Sequence, residues 1–353
     1  MHWPLGYLGP AAALAVLASL AATDAAAQPQ PVVERVDVAR VIIDVRVVDN
    51  RGRPVLDLEP DDFEVRIGGE PVRVESAQWY GDDARSDGRA GEPIPSTGVT
   101  GFLEPDNRGQ LIVFVVQKSL YPQRVVGLMR LLQHSERLLQ RVTPRDRVAV
   151  LSFDSHLKIW LDFTDDLDEV RTVLADDVLF QSPPVLEPRD GVSLLATLSQ
   201  DAGRRTYEIQ EALRRLGDAL EPLPGAKSVV LVGYGFGQFT VTLGMIGAEL
   251  DQRYEEARSA LEAARAAVFC LDVTQADYHT FEHGLEAVAE DTGGLFARTY
   301  LHPWRAVDRV SSAVAGHYVL FTERPDVEPG SHTIDVDVVD HDGPVLARST
   351  YVE

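Results

Sequence analysis

The arrangement of apolar and polar positions between residues 110 and 315 predicts alternating strands and helices. The runs Leu111–Val116 and Arg147–Phe153 have the length and content of buried strands, and the segment Gln123–Arg141 between them has apolar residues at helical spacing. The alternation continues with a short helix after Thr164 and Asp165, a helical stripe of Ile209, Leu213, Leu216 and Leu220, the strand SVVLV, a second stripe of Ile246, Leu250, Tyr254 and Leu261, the strand AVFCLDV, and a helix ended by Gly293 and Gly294. Apolar strands separated by helices predict a doubly wound, mostly parallel α/β domain over residues 110–315.

Two short segments with strand-like alternation flank this region. In residues 32–80 the apolar positions Phe63, Val65 and Ile67 alternate with polar ones before a glycine turn, and in residues 316–353 the stretch TIDVDVV alternates in the same way. Each segment is too small to fold alone, so we predict that they pair into one small β-sandwich with the α/β domain inserted between its halves. Residues 81–109 are rich in Gly, Pro, Ser and Asp and are interpreted as a linker.

The N-terminal residues predict export. The apolar stretch Ala11–Ala22 is followed by small residues that allow cleavage after Ala27, so residues 1–27 are interpreted as a signal peptide. No Lys or Arg precedes the apolar stretch, which leaves open a cytoplasmic chain with an alanine-rich tail. No other stretch approaches the length that spans a bilayer. We therefore expect an exported protein, periplasmic or extracellular, without an integral membrane segment after signal removal.

Charge and cysteine content narrow the function classes. The 353 residues include 33 Lys and Arg against 55 Asp and Glu, a formal net charge of −22 that repels phosphate backbones, so nucleic acid is not expected as a partner. The single cysteine, Cys270, excludes an internal disulfide and lies in a predicted buried strand.

Several segments together resemble a family of exported bacterial proteins, common in acidobacteria, that contain a von Willebrand factor type A related domain. The resemblance covers nearly the whole chain after the signal peptide. It is carried by the order and spacing of VIIDVRVVDNRGRPVLDLEPDDFEVRIGGEPVRV, TPRDRVAVLSF, LDFTDDLDEV, PGAKSVVLVGYGFG, LEAVAEDTGGLFAR and GHYVLFTERP. It implies a type A-like α/β domain, in agreement with the periodicity.

The resemblance also implies where a metal-dependent binding site would lie. Metal-binding type A domains carry DxSxS at a strand end, a threonine from a nearby loop and an aspartate after a central strand. These positions correspond here to Gln117, Ser119 and Tyr121, to Ser193, and to Tyr234. Both carboxylates are replaced, and Lys118 adds positive charge. Because a divalent cation requires charged oxygen ligands, the site is interpreted as degenerate and no cofactor is expected.

The residues at this edge suggest a different use. Amide, hydroxyl and aromatic groups suit contacts with another protein. The predicted partner-binding residues are Gln117, Lys118, Ser119, Tyr121, Ser193, Tyr234 and Phe236. The alternative is that the tyrosines only fill space above the sheet, which would make the domain purely structural.

One stretch suggests an enzyme instead. HTFEH matches the HxxEH zinc-peptidase pattern, with His279, Glu282 and His283 as candidate zinc ligands and base. The simpler interpretation is that these are solvated residues at a helix N-terminus. The loop GYGFGQ lacks the context of a phosphate-binding loop, and no GxSxG is present. The sequence therefore predicts a non-enzymatic, exported protein-binding module, with a zinc hydrolase or a purely structural domain as the alternatives.

Overall fold

A computed structural model describes residues 40–81, 109–188, 191–199, 203–242 and 245–353. Side chains are described for all of these residues except 239–248. These residues belong to a single compact unit, Val38–Glu353. The predicted signal peptide and nearly all of the predicted linker lie outside the described residues. The domain boundaries given above stay predictions.

The described residues form sixteen strands. In chain order they are β1 Arg40–Val47, β2 Phe63–Ile67, β3 Glu70–Val72, β4 Val74–Gly81, β5 Leu111–Gln117, β6 Arg147–Phe153, β7 Leu157–Thr164, β8 Lys227–Gly233, β9 Gln238–Thr242, β10 Met245–Glu249, β11 Ala266–Asp272, β12 Phe296–Arg298, β13 Gly316–Glu323, β14 Ser331–Val338, β15 Val345–Ala347 and β16 Thr350–Val352.

Helices connect most of the central strands. They are α1 Pro122–Leu132, α2 Ser135–Leu138, α3 Leu167–Thr172, α4 Val178–Phe180, α5 Ile209–Leu220, α6 Gln252–Ala263, α7 Glu282–Asp291 and α8 Pro303–Val314. A π-helical turn, Val173–Asp177, joins α3 to α4. No helix among the described residues is long and apolar enough to cross a membrane.

A six-stranded sheet in the order β12-β11-β8-β5-β6-β7 forms the centre of the α/β region. All neighbours pair in parallel except β6 and β7. Every residue of β5, β8 and β11 is buried, because helices pack on both faces of the sheet and form two hydrophobic clusters with it. The predicted α/β class and the mostly parallel sheet are confirmed.

Two further four-stranded sheets, β15-β1-β13-β4 and β16-β14-β2-β3, contain strands from both ends of the described chain. Strand β1 pairs antiparallel with β13, and β2 pairs antiparallel with β14. The inward residues of both sheets share one hydrophobic cluster, which includes Ile43, Val45, Ile67, Tyr318 and Leu320. The terminal segments therefore fold together.

The sequence interpretation missed one strand of the central sheet. Residues Leu157–Thr164 form β7, which lies antiparallel to β6 at the sheet edge. The strand is buried along almost its whole length, so it lacks the polar alternation that marks an edge strand.

Two helix predictions were wrong in extent. The stripe begun at Ile246 is not helical there, because Gln238–Thr242 and Met245–Glu249 form an antiparallel hairpin and α6 starts only at Gln252. The predicted helix Gln123–Arg141 divides into α1 and α2. The amide of His134 donates to the carbonyl of Leu131, three residues earlier instead of the four of an α-helix, and this tighter turn ends α1.

Candidate functional site

The candidate site lies at the carboxyl ends of β5 and β8, the two central strands of the sheet. From this pair the chain continues outward in opposite directions, through β6 and β7 on one side and β11 and β12 on the other. In open α/β sheets, ligands bind outside the strand ends where the strand order reverses in this way. Gln117 is the last residue of β5, and Tyr234 directly follows β8.

Gln117 ties the two strand ends together. Its Oε1 accepts a hydrogen bond from the Tyr234 amide at 3.0 Å, and its Nε2 donates to the Gly235 carbonyl at 3.2 Å. A side chain at Gly233 would bring its Cβ within 2.6 Å of the same Oε1, so a larger residue there would displace the Gln117 amide from these bonds. Gln117 is only 4% exposed, and it acts as a structural crosslink instead of a surface contact.

A guanidinium that the sequence interpretation did not select occupies this edge. The Cζ atom of Arg124 lies 3.9 Å from the ring centroid of Tyr234 and 5.1 Å from that of Tyr121. The Tyr234 hydroxyl donates to the Lys118 carbonyl at 3.1 Å, which fixes the position of its ring. Burial raises the pKa of Tyr234, although Arg124 opposes the shift, so the phenol stays protonated at neutral pH. Arg124 is thus held against aromatic faces by cation–π contacts.

Lys118 is less available than the sequence suggested. Its Nζ lies 5.4 Å from the centroid of the Trp160 ring, and partial burial lowers its pKa despite the nearby carboxylate of Asp154. The Trp160 ring is held in turn by a hydrogen bond from its Nε1 to the Ser152 hydroxyl at 2.8 Å. The Lys118 ammonium group therefore lies against the Trp160 ring and is partly shielded from solvent.

A cleft of about 310 Å³ opens beside Arg124. It is lined by Gln117, Arg124, Phe153, Glu208, Ile209, Gln210, Tyr234, Gly235, Phe236, Gly237, Gln238 and Phe281. Glu208 is the only carboxylate in this lining, and it forms an ion pair with Arg253. Among the described residues no carboxylate pairs with Arg124, so the lining keeps one uncompensated positive charge.

The rim of the cleft carries exposed apolar side chains. Leu120 is 98% exposed and Tyr121 is 66% exposed, and both lie in the turn that leads from β5 into α1. The Ser119 hydroxyl accepts the Tyr121 amide at 3.2 Å and shapes this turn. Val126 and Met129 extend the apolar surface along α1.

The donor set at this edge does not suit a hard divalent cation. Both polar atoms of the Gln117 amide already have backbone partners, and Tyr234 offers a neutral phenol. The Arg124 guanidinium lies against that phenol ring and would repel a metal ion. Divalent cations require oxygen ligands with negative charge, which the described lining does not supply here.

Of the residues predicted for partner binding, Ser193 is bonded to a different part of the molecule and Phe236 is buried in the wall of the cleft. The Ser193 hydroxyl is buried and donates to Asp162 Oδ2 at 2.5 Å, next to a bond from the Leu194 amide to Asp162 Oδ1 at 2.6 Å. Phe236 is buried against Tyr254, with ring centroids 6.2 Å apart. With Gln117, these residues belong to the interior, and the accessible part of the predicted site reduces to Lys118, Ser119, Tyr121 and Tyr234, joined by Arg124.

The HTFEH stretch is also arranged differently from the prediction. Helix α7 begins at Glu282, so His279 precedes the helix, and His283 is exposed on it. Ligand atoms of Asp272, His279 and Glu282 lie within 4.8 Å of one another, which makes Asp272 the third member of the group in place of His283. Glu282 is buried, so the interpretation as solvated helix-terminal residues was wrong for it.

Existing contacts occupy most of this group's ligand atoms. His279 Nε2 lies 2.9 Å from Asp272 Oδ2, and both Glu282 oxygens accept from the Arg298 guanidinium at 2.9 Å. A metal ion would have to bind beside the charge of Arg298. The contacts present satisfy the buried carboxylates without one.

Arg124 could have been found from the sequence. It lies in the first turn of α1, where the aligned peptide dipoles favour acidic side chains, yet this turn carries no acidic residue. The sequence gave no such signal for Asp272. The loop that brings His279 close to Asp272 has no periodic pattern of apolar and polar residues.

Comparisons with known proteins give limited information. No family model matches the chain, and no curated protein matches it. Solved structures with similarity include BatB from Bacteroides thetaiotaomicron, at 15% identity and a TM-score of 0.40 over 58% of this chain and 97% of that one. A von Willebrand factor type A protein from Catenulispora acidiphila has 9% identity and a TM-score of 0.40 over 82% and 72%. Manganese-loaded TRAP from Plasmodium vivax has 12% identity and a TM-score of 0.37 over 70% and 94%. These scores are low, so the description of the fold rests on the strand order and pairing given above.

Proposed function

We propose that the chain is a non-enzymatic, exported protein-binding module with a type A-like α/β domain. In this proposal the metal-dependent site is degenerate, and the two four-stranded sheets form a β-sandwich that presents the inserted α/β domain. The partner surface consists of Leu120, Tyr121 and Arg124 at the carboxyl-end edge of the central sheet.

The exposure of Leu120 and Tyr121 carries the proposal. Two large apolar side chains project side by side at the position in an α/β sheet where ligands bind, next to an arginine that no described carboxylate neutralises. Tyrosine and arginine are the residue types that most often dominate binding energy when an interface covers them. Burial of Tyr121 and Arg124 against a partner would give the surface its affinity.

Site-specific photocrosslinking tests the surface. A benzoylphenylalanine in place of Tyr121 should capture a partner from the native extract, whereas the same group in place of Val352, which is 69% exposed on β16 of a terminal sheet, should not. The captured protein is then purified and its Kd is measured. We expect Tyr121→Ser and Leu120→Ser to raise that Kd by roughly tenfold or more each, as for interface anchors.

The matched control is Val352→Ser, which should leave the Kd unchanged. Equal affinity for all three variants would reject this surface. Sequencing of the N-terminus of the secreted protein tests export separately, since cleavage after Ala27 leaves Gln28 first.

The enzyme alternative is tested at the group that the structure assembles. If Asp272, His279 and Glu282 bind zinc, Zn²⁺ should raise the melting temperature of the chelator-treated protein, and His279→Ala should abolish that rise. His283→Ala is the matched control because His283 lies outside the group. A zinc-dependent rise with hydrolysis of a peptide substrate would replace the binding-module proposal.

A further inference from the structure

A second cavity lies on the side of the molecule where the strands of the central sheet begin. Ala266 and Ala267, the first residues of β11, line it, and β1 contributes Asp44 and Arg46 from the neighbouring four-stranded sheet. Arg348, between β15 and β16, and Glu262, Arg265 and Thr292 complete the lining. The cavity therefore forms part of the seam between the terminal strands and the α/β region.

The charges around this cavity do not balance. Three arginines and two carboxylates line it. Arg265 forms a two-bond ion pair with Asp44, at 2.8 and 2.5 Å. Glu262 is paired with Arg258, which lies outside the lining, at 3.2 Å. Asp44 attracts the charges of Arg46 and Arg348 as well, but among the described residues no carboxylate forms a direct ion pair with either arginine.

Arg46 and Arg348 also have too few hydrogen-bond acceptors for their N–H groups. Arg46 donates from one terminal nitrogen to the Ser228 hydroxyl at 3.2 Å, and Arg348 donates from one to the Ile42 carbonyl at 3.2 Å. The Nε atom of each is buried and has no partner among the described residues. Arg46 is only 2% exposed, so bulk water does not hydrate its charge.

Arg46 does not escape this by losing its proton. Burial lowers the pKa of Arg46 to about 10, and burial likewise lowers the pKa of Arg348, so Arg46 stays charged at neutral pH. The nearby His317 does not add charge, because burial lowers its pKa to about 3. Asp44 attracts Arg46 but is already bonded to Arg265, so the seam keeps more buried positive charge than negative charge, which is unfavourable.

We propose that this cavity binds a halide ion, chloride under physiological conditions, held by Arg46 and Arg348. An anion supplies both the missing negative charge and the missing acceptor for two buried Nε–H groups. The free volume of about 20 Å³ has room for one particle near the size of a water molecule, which is closer to the size of a halide than to that of a tetrahedral oxyanion. Both arginines come from the terminal strands, Arg46 from β1 and Arg348 from the β15–β16 connection, and the cavity that they line is closed on the α/β side by the first residues of β11.

Anion-dependent melting of the unmodified protein is the first test. At constant sodium concentration and ionic strength, replacement of gluconate by chloride or bromide should raise the melting temperature by a fixed step for each tenfold increase above the Kd, as expected for a ligand that binds only the folded state. Sulfate should not give this response, because it is larger than a halide. Equal melting temperatures in gluconate and in both halides would overturn the proposal.

Variants locate the effect. Arg348→Gln should remove the halide-specific step, whereas Arg137→Gln, at an arginine whose side chain is 48% exposed and paired with Asp308, should keep it. Retention of the full step in Arg348→Gln would overturn the proposal.

Crystals grown in sodium bromide give a readout that needs no variant. An anomalous peak between Arg46 and Arg348 would confirm the site even if Arg348→Gln does not fold. An electron-density peak at this position without anomalous signal would mean that water fills the cavity. That outcome would reject the proposal of a halide site.

Discussion

Arg124 and Arg46 are both unpaired with any described carboxylate, and they lie on opposite sides of the molecule. Arg124 rests between two tyrosine rings at an open cleft, where solvent reaches its charge. Arg46 lies over the Phe269 ring, 5.0 Å from its centroid, but it is enclosed by two sheets. Aromatic contact is common to both, so it is the access to water that separates them. The first arginine is free to meet a partner, whereas the second requires an opposite charge inside the fold.

Asp44→Asn removes the buried carboxylate closest to Arg46 in this comparison and should have the largest effect on stability. It leaves Arg265 without its ion pair beside Arg46, and we expect a loss of about 3 kcal/mol in the free energy of unfolding, measured in urea. The exposed pair offers a control, since Asp308→Asn removes the partner of Arg137 and should cost less than about 1 kcal/mol. Similar losses for the two variants would mean that the seam is hydrated.

Gln117→Leu tests whether the cleft edge is as rigid as its contacts indicate. The change leaves the Tyr234 amide and the Gly235 carbonyl without their side-chain partner, and we expect a loss of about 2 kcal/mol in the free energy of unfolding. Gln123→Leu, on the exposed first turn of α1, should change stability little. If Gln117→Leu costs no more than the control, Gln117 is not a crosslink.

Glu262→Gln tests the burial of the seam through the pH dependence of the unfolding free energy. Burial raises the pKa of Glu262 from 4.5 to about 6, although Arg258 opposes the shift. The folded state therefore binds this proton more tightly than the unfolded state. The resulting stabilisation is complete below pH 4.5 and is lost as pH rises through about 6.

Relative to Glu262→Gln, the unmodified protein should lose up to about 2 kcal/mol of unfolding free energy between these pH values, as measured by urea titration at each pH. Glu256→Gln, on the exposed face of the same helix, should show no such pH-dependent difference. A constant difference between Glu262→Gln and the unmodified protein across the range would contradict the assignment.

Arg124→Gln should have the smallest effect on stability. It removes two partly hydrated cation–π contacts, and we expect a loss of less than about 1 kcal/mol by urea unfolding. Its effect on partner affinity should be larger than its effect on stability. A loss comparable to that of Asp44→Asn would show that Arg124 is a structural residue and would remove it from the proposed surface.

The central strands were predictable because burial on both faces leaves an apolar run that no other element of this length produces. Leu111–Gln117 and Ala266–Asp272 were recognised in this way. The hairpin Gln238–Glu249 was not, since Ile246 and Leu250 match a helical period by chance and the backbone pairing is decided by tertiary context.

The site was predictable only in position. Strand order places Gln117 and Tyr234 side by side, but whether a polar side chain turns inward or outward depends on neighbours that the chain brings from elsewhere. Gln117 turns inward to bond the next strand end, and Arg46 is buried although strand alternation marks its face of β1 as polar. Period-2 alternation separates two faces of a strand without telling which of them another layer covers.

The pairing of β1 with β13 has a consequence for biosynthesis. The ribosome makes β1 long before either of its sheet neighbours, β13 and β15, which come from the last part of the described chain. Until they emerge, β1 is an apolar strand with open edges, free to pair with the wrong segment or with another nascent chain. The nascent protein should therefore depend on a chaperone that shields β1 until β13 and β15 have been made.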